Sequence, residues 1–193
     1  MKIINKQEAI KKLNSGNPII FQTDTLPAIG SLPEFADIIY EVKKRDKRKA
    51  LILMGAEISQ IIEYVDESSR DDLIDLAKKY WPGPLTLVVP KIENKKFKFM
   101  SSYNNIGIRV PNSDSALSLI SEVGPMATSS ANISGQTNLR TADSVSKELP
   151  NIDLLGPIPW HNCSGEASTI IAWSSKGKWK LLRKGELKIL NVD

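Results

Sequence analysis

Short runs of consecutive apolar residues alternate along the chain with segments whose apolar residues recur at helical spacing. A continuous apolar run bounded by turn residues predicts a buried strand, and the run at 85–89 is the clearest case. The remaining runs are equally short, as strands of a buried sheet require. The predicted strands are 18–21, 51–54, 85–89, 106–110, 126–129, 169–172 and 179–182.

Amphipathic segments predict helices between several of these strands. In segment 7–13, Ala9, Ile10 and Leu13 fall on one side, and Gly16 is a stop signal. Residues 69–72 resemble a capping box, with aspartate in place of the usual glutamate, and predict a helix that begins there. Further helices are predicted at 35–42 and 116–120.

This alternation of strands and helices predicts an α/β fold in a single domain, residues 1–193. We expect one twisted sheet flanked by helices. The last two predicted strands follow each other without a helix, so they should pair antiparallel. The sheet should therefore be a mixed parallel/antiparallel one.

The composition narrows the class of protein only slightly. The chain has 193 residues, of which 41% are hydrophobic and 25% charged, as in an ordinary globular protein. It contains no apolar stretch of about 18 residues, and its first residues lack the apolar block of a secretory signal. We therefore expect no membrane association and a cytoplasmic location. The net charge of +4 suggests a polyanionic ligand and leaves nucleotide and RNA both open.

The supply of cysteine and histidine limits the chemistry. Cys163 is the single cysteine, which excludes an internal disulfide and a zinc site built from cysteine pairs. His161 is the single histidine, so any Ser-His-Asp or Cys-His apparatus would depend on it alone. We expect no zinc, haem or flavin.

Polar segments follow several predicted strands and helices, where an open α/β fold places its ligands. Residues 23–25 could bind a small polar substrate or simply form a turn. Residues 43–49 hold six cations in seven positions, which fits either a phosphate clamp or a solvated helix end. Segments 124–135 and 164–169 are rich in small hydrogen-bonding residues that let a ligand approach the backbone.

The order of these segments resembles the YrdC-like threonylcarbamoyl-AMP synthase family over nearly the whole chain. The two most specific matches are W-P-G-P-L-T at 81–86 and S-A-N-I-S-G at 130–135. The other matching segments are 22–29, 43–46, 109–113, 168–170 and 182–185. The resemblance is to the short form of the family and implies a positively charged central cavity.

The resemblance implies an L-threonylcarbamoyladenylate synthase, a nucleotidyltransferase acting on L-threonine, bicarbonate and ATP. The product feeds the threonylcarbamoylation of adenosine 37 in tRNA, so the transferase machinery for that step is an expected partner. Threonine would be bound by Thr23, Arg109 and Ser168, and ATP by Lys43, Arg45, Lys49, Ser130, Asn132 and Arg183. Mg²⁺ would arrive with ATP. No residue is assigned as a general base, since Asp24 could equally be a structural cap.

Some positions depart from the family pattern. Pro27 and Ala28 stand where the family has tyrosine and glycine, and Gln22 replaces a proline. Ser113 replaces a histidine, and Asp46 stands where proline is usual. Because Pro27 removes an aromatic wall and a backbone N–H, we expect a reshaped threonine pocket or an altered substrate.

Two rival interpretations stay open at this point. The chain could be an RNA-binding protein of the same fold without activity, using the basic run for weak binding of tRNA or double-stranded RNA. Against this, aromatic residues make up 6% of the chain and none interleaves the basic run. The second rival is a carbamoyl-transfer module of the hydrogenase-maturation type, whose chains are longer and carry zinc-binding cysteines.

Overall fold

The computed structural model describes residues 1–92, 104–160 and 163–189, and within them ten strands form one sheet. His161 lies outside the described residues. The strands are β1 (Ile3–Ile4), β2 (Ile19–Phe21), β3 (Ala28–Ser31), β4 (Ile52–Met54), β5 (Leu85–Pro90), β6 (Asn105–Arg109), β7 (Met126–Ser130), β8 (Asp153–Leu155), β9 (Thr169–Ser175) and β10 (Lys178–Arg183). The helices are α1 (Lys6–Asn14), α2 (Asp37–Val42), α3 (Ile58–Ile61), α4 (Glu67–Tyr80), α5 (Asp114–Val123) and α6 (Ala142–Glu148).

The sheet is mixed, as predicted. Its strand order is β1-β8-β2-β3-β7-β4-β6-β5-β9-β10. Strand β8 pairs in parallel with β1 and β2, and so do β4 with β6 and β5 with β9. The other neighbours are antiparallel, including β9 and β10, which confirms the prediction for the last two strands.

One face of the sheet is covered by helices on both sides of its centre. Toward β5 and β9, buried residues such as Leu87 and Ile171 pack with Leu73 of α4. Toward β2 and β8, Ile20 packs in a second cluster with Val145 of α6. Because residues on a strand alternate between faces, the neighbours of these side chains point to the opposite face.

The opposite face is divided between core and cavity. Near β2 and β3 it packs against α1 and α5, where Phe21, Leu13 and Leu119 share one buried cluster. Further along the sheet, residues that point the same way line a cavity; they include Gly107 of β6 and Ile170 of β9. The fold therefore leaves part of a sheet face available for a ligand.

The sequence predictions match the long elements and miss the short ones. All seven predicted strands are confirmed within a residue or two at most boundaries, but β1, β3, β8, α3 and α6 were not predicted. The capping box at Ser69 is wrong: α4 begins at Glu67, and the Asp66 carboxylate caps it by accepting from Ser68 N. Aspartate at 66 offers an equally good cap earlier in the chain, so Ser69 becomes a buried residue inside the helix. Among the described helices, none is long and apolar enough to cross a membrane.

A carboxylate on α4 holds the hairpin formed by β9 and β10. Oδ2 of Asp72 accepts from Trp173 Nε1 and from Gly177 N, each at 2.7 Å. Gly177 has a φ of 69° in the turn of the hairpin, a conformation that favours glycine. One side chain thus fixes both the turn and an adjacent strand against the helix layer.

We expect Asp72→Ala to lower the free energy of unfolding by about 1.5–3 kcal/mol, because two hydrogen bonds to a charged group are lost. Urea denaturation measures the change. Asp75→Ala is the matched control, since Asp75 is exposed on the same helix and its loss should change stability by less than about 0.5 kcal/mol. Equal stability of the two variants would show that Asp72 does not hold the hairpin against the helix layer.

Candidate active site

The cavity on the open part of the sheet face has a volume of about 750 Å³. Its lining joins four segments that are distant in sequence: the turn after β2, the basic run, the end of β7 and the entry to β9. Among the described lining residues, three are arginines and none is acidic. The predicted site residues that line it are Thr23, Arg45, Arg109, Ser130, Ser168 and Arg183.

Arg109 is the most deeply buried charge of the cavity. It is 3% exposed, and its guanidinium donates to Gly83 O (3.0 Å), Thr25 Oγ1 (2.9 Å) and Asp24 Oδ1 (2.6 Å). Burial lowers the pKa of Arg109, and the charge of Asp24 opposes this shift. Three of the five N–H groups are engaged by the chain, so two are left for a ligand carboxylate.

The turn after β2 supports this arginine through a network of hydroxyl groups. Thr23 is fully buried; its hydroxyl donates to Leu26 O (2.6 Å) and accepts from Thr25 N (3.2 Å). Asp24 accepts from Asn112 N at 3.1 Å as well as from Arg109. Residues 23–25 therefore form a turn, and Thr23 and Thr25 of this turn also line the cavity.

Cys163 packs against the same turn. Its thiol donates to Thr23 O at 3.2 Å, and burial raises its pKa. A protonated, hydrogen-bonded thiol is a structural group rather than a nucleophile.

Ser168 and Arg183 lie together in the wall of the cavity. Arg183 donates through Nε and Nη2 to Ser168 O, at 3.1 and 2.9 Å, and through Nη2 to Ser168 Oγ at 3.1 Å. Ser168 Oγ also lies 2.8 Å from Thr86 Oγ1. Gly185 permits this arrangement, because a Cβ there would lie 2.2 Å from Ala167 O.

The basic run begins in a tight helix end. Lys44 has a φ of 48°, and Arg45 N donates to Tyr40 O while Lys44 N donates to Glu41 O, the pattern of a Schellman motif. After this turn, Arg45 reaches the cavity and donates to Lys49 O (3.1 Å) and Ala50 O (2.9 Å). The run therefore combines a helix end, at Lys44, with a residue that lines the cavity, Arg45.

The remaining cations of the run do not line the cavity. Lys47 and Arg48 pair with Asp37 and Asp46 on the surface, and Lys49 is exposed. The predicted contact of Lys49 with phosphate stays a prediction.

Lys43 is directed inward, away from the cavity. Its side chain is 1% exposed, and its ammonium donates to Ser130 O, to Asn132 O (2.6 Å) and to Asn132 Oδ1 (3.4 Å). Burial, and then the charge of Arg45, lower the pKa of Lys43 to about 7, which Glu148 opposes. The predicted approach of Lys43 to phosphates is therefore not what the geometry favours.

Asn132 is also used within the chain. Its amide nitrogen donates to Ile133 O (3.2 Å) and Gln136 O (2.9 Å), while its Oδ1 accepts from Ser130 Oγ at 2.6 Å. Asn132 does not line the cavity, whereas Ser130 does. The predicted contact of Asn132 with ATP stays a prediction.

Several lining residues were not assigned a role from the sequence. Thr25, Thr86 and Thr128 lay within the candidate or matching segments without being singled out, and Met54 lay outside all of them. The sequence could have indicated Thr86, because it is a polar residue inside an apolar strand. Like Val88, it lies on the face of β5 that lines the cavity. Met54 carried no such signal: its position beside Arg109 follows from the pairing of β4 with β6.

Of the positions that depart from the family pattern, some line the cavity and others do not. Pro27 is buried and accepts from Ala131 N at 2.8 Å, but it does not line the cavity, whereas Ala28 does. Ser113 precedes α5 and its hydroxyl donates to Gln22 O at 3.1 Å. The expected reshaping of the pocket therefore concerns Ala28 directly and Pro27 through the backbone.

Comparison with known proteins identifies relatives over most of the chain. A family model named Sua5/yciO/yrdC, described as "Telomere recombination", matches residues 11–185. Threonylcarbamoyl-AMP synthase of Blochmanniella pennsylvanica (strain BPEN) is 29% identical over 150 residues, which are 75% of this chain and 77% of that protein. The protein of the same name from Bacillus subtilis (strain 168) is 33% identical over 147 residues, 74% of this chain and 42% of that protein.

A solved structure supports the fold. P. abyssi Sua5 complexed with L-threonine matches with a TM-score of 0.85 and 28% identity. The match covers 96% of this chain and 58% of that one, so the chain spans less than two thirds of the relative. The predicted α/β fold with a mixed sheet is confirmed.

The pair of Arg109 and Asp24 should control stability. We expect Asp24→Ala to lower the free energy of unfolding by about 3–5 kcal/mol, because it leaves the buried guanidinium without its counter-charge. Urea denaturation at neutral pH measures this. Asp143→Ala is the control: it breaks an exposed pair with Lys147, which should contribute about 0.3–0.5 kcal/mol. A small effect at Asp24 would show that the pair is not needed to bury the arginine.

Proposed function

The chain belongs to the Sua5/YciO/YrdC family, and from this premise we infer that it is an L-threonylcarbamoyladenylate synthase. One observation supports the proposal above the others. A single cavity brings Arg109 together with Arg45 and Arg183, with no acidic residue among its described lining residues. Such a site suits substrates that carry a carboxylate and several phosphates.

The proposed reaction joins threonine, bicarbonate and ATP. The threonine amine combines with bicarbonate to give a carbamate and water. A carbamate oxygen then attacks the α-phosphorus of ATP, the bond to the bridging oxygen breaks, and pyrophosphate leaves. This displacement requires mainly positioning and neutralisation of charge, which arginines and hydroxyls supply without a histidine or a reactive cysteine.

The roles of the lining residues follow from their partners. Arg109 would bind the threonine carboxylate with its two remaining N–H groups, beside Thr23 and Ser168. Arg45 and Arg183 would bind the nucleotide, since both guanidinium groups reach the cavity while anchored to backbone carbonyls. An anchored guanidinium loses little conformational freedom when an anion binds.

Mg²⁺ would enter with ATP. Among the described residues, no group of three His, Cys, Asp or Glu side chains could hold a metal ion. Phosphate oxygens and water are the usual ligands of Mg²⁺ in such sites, so the cavity needs to supply few ligands of its own.

We propose that the product is a substrate of the transferase that modifies adenosine 37 of tRNA. We also propose that the protein is cytoplasmic. RNA binding without catalysis is the alternative function, and an assay of turnover separates the two.

We expect pyrophosphate release to need threonine and bicarbonate together, because neither alone supplies the carbamate. Coupled detection of pyrophosphate, with mass spectrometry of the adenylate, measures this for each amino acid. Serine lacks a methyl group and should be used roughly 10–200-fold less well. Release of no pyrophosphate under these conditions, together with RNA binding at physiological salt, would favour the alternative function.

Arg45→Ala should raise KM for ATP roughly 10–100-fold, because a charge-assisted hydrogen bond to phosphate contributes about 1.5–3 kcal/mol. Steady-state kinetics at saturating threonine measure it. Arg48→Ala is the matched control: this arginine belongs to the same run but pairs with Asp46 and is 91% exposed. Equal KM values for ATP in the two variants would show that Arg45 does not contact ATP.

A further inference from the structure

We propose that β10, the last strand of the sheet, is a docking site for an extended acidic segment of a partner protein, which it binds as an additional strand. The proposal goes beyond the proposed function, since it concerns the edge of the fold and a different kind of ligand. It rests on the position of β10, on the charges of its hairpin and on the division of its side chains between the two faces of the sheet.

The strand β10 lies at an edge of the sheet. Its six residues pair with β9 alone among the residues that the structure describes. The strand at the other edge, β1, has two residues, so β10 is the longer of the two edges. An edge strand presents a row of backbone N–H and C=O groups that can pair with another extended chain.

The segment that contains β10 is strongly basic. Residues 176–184 include five cations and no acidic residue. One of the five, Arg183, is anchored to Ser168 in the wall of the cavity. The other four are exposed lysines that form no ion pair with another described residue. These lysines are Lys176, Lys178, Lys180 and Lys184.

The charge of this edge selects its partner. Lysines on an edge strand prevent two like edges from meeting, because like charges opposite each other are unfavourable. A second copy of the chain would bring the same lysines and is therefore disfavoured. A segment of opposite charge meets no such barrier.

The two faces of β10 differ in chemistry. Trp179 and Leu181 pack against the core cluster that α4 and β5 share, on the face covered by helices. Lys180 points to the other face, because neighbours along a strand alternate. Lys180 pairs with Ala172 of β9, and Ala172 pairs with Val88 of β5, which lines the cavity. Cations therefore stand on the cavity side of this edge and apolar groups on the helix side.

This division defines the sequence of the partner segment. A strand added beside β10 would place every second side chain next to Lys178 and Lys180, where acidic side chains pair with them. The side chains between would lie next to Trp179 and Leu181 and extend the apolar cluster. The register of β10 with β9 shifts after Lys178 and again after Leu181, so the regular stretch is short. The expected ligand is a segment of about five residues in which acidic and apolar residues alternate.

RNA fits these observations less well. Proteins that bind single-stranded RNA combine cations with aromatic side chains on which the bases stack. In β10 the aromatic residue, Trp179, packs on the helix side, away from the lysines on the cavity side. An extended protein segment uses the cations and the outward backbone groups together.

Docking would take place beside the cavity. Leu182 follows the regular stretch of β10, is 55% exposed and lines the cavity together with Arg183. A partner bound along β10 would therefore lie at the rim of the cavity.

Calorimetric titration with capped synthetic hexapeptides, in the absence of substrates, tests the proposal. A peptide in which glutamate and valine alternate should bind. A peptide of three glutamates followed by three valines should bind roughly 10-fold more weakly, because it cannot match both faces. Methylation of alternate backbone nitrogens in the first peptide should weaken binding by about 10-fold or more, since it removes donors of the added strand.

Charge reversal on the protein locates the site. Lys180→Glu should weaken binding of the alternating acidic peptide roughly 10-fold and should allow a peptide of alternating lysine and valine to bind. Lys180 is exposed, so this variant should fold like the wild type. Lys11→Glu is the matched control: Lys11 is an exposed lysine of α1, and the same change of charge there should leave the Kd unchanged. Hydrogen exchange should show protection of the amides at 178–182 when the acidic peptide binds.

Several results would overturn the proposal. Absence of binding of the alternating acidic peptide would refute it, and equal binding of the alternating, blocked and methylated peptides would show charge attraction without strand addition. A uridine dodecamer that binds the wild type but not Lys180→Glu, while the acidic peptide does not bind, would assign the hairpin to RNA. A dimer in sedimentation velocity, with protected amides in β10, would make a second copy the occupant. None of these measurements depends on turnover, so they stand apart from the test of the proposed function.

Discussion

A buried guanidinium is the group on which the rest of the site depends. Transfer of a charge from water into a protein interior costs several kcal/mol, and a site that needs such a charge must compensate for it with well-placed partners. For Arg109, at the end of β6, these partners come from two separate segments: the turn after β2 and the loop before β5. The sheet brings these segments together. Folding of the sheet and assembly of the site are therefore one process.

Strand pairing explains which parts of this arrangement were predictable. Runs of apolar residues are visible in a sequence, and all the strands that carry such runs were found. Strands β1 and β8 have two and three residues, too few for a pattern, and β3 is built from small residues that resemble a loop. The position of Met54 beside Arg109 depends on the pairing of strands more than fifty residues apart, which local pattern does not encode.

The site residues show the same division. Residue type and motif order predicted a group of site residues that the fold brings to one cavity: Thr23, Arg45, Arg109, Ser130, Ser168 and Arg183. They were not enough to say which way each polar group points. Lys43 and Asn132 belong to the same motifs, yet their side chains are saturated by backbone and by each other. Direction is a tertiary property, set here by a loop that folds over the end of α2.

Lys44 adopts a left-handed conformation at the end of α2. For the directions of the neighbouring side chains, the spacing of residues in the basic run therefore matters more than their charge. Lys44 reverses the chain so that the lysine before it faces the interior and the arginine after it faces the cavity. The surface lysines that follow can be exchanged without disturbing either direction. An insertion or deletion of one residue between Val42 and Arg45 would instead move Lys43 or Arg45 away from its present position. Relatives that keep this architecture should therefore vary in the composition of the run but not in its length.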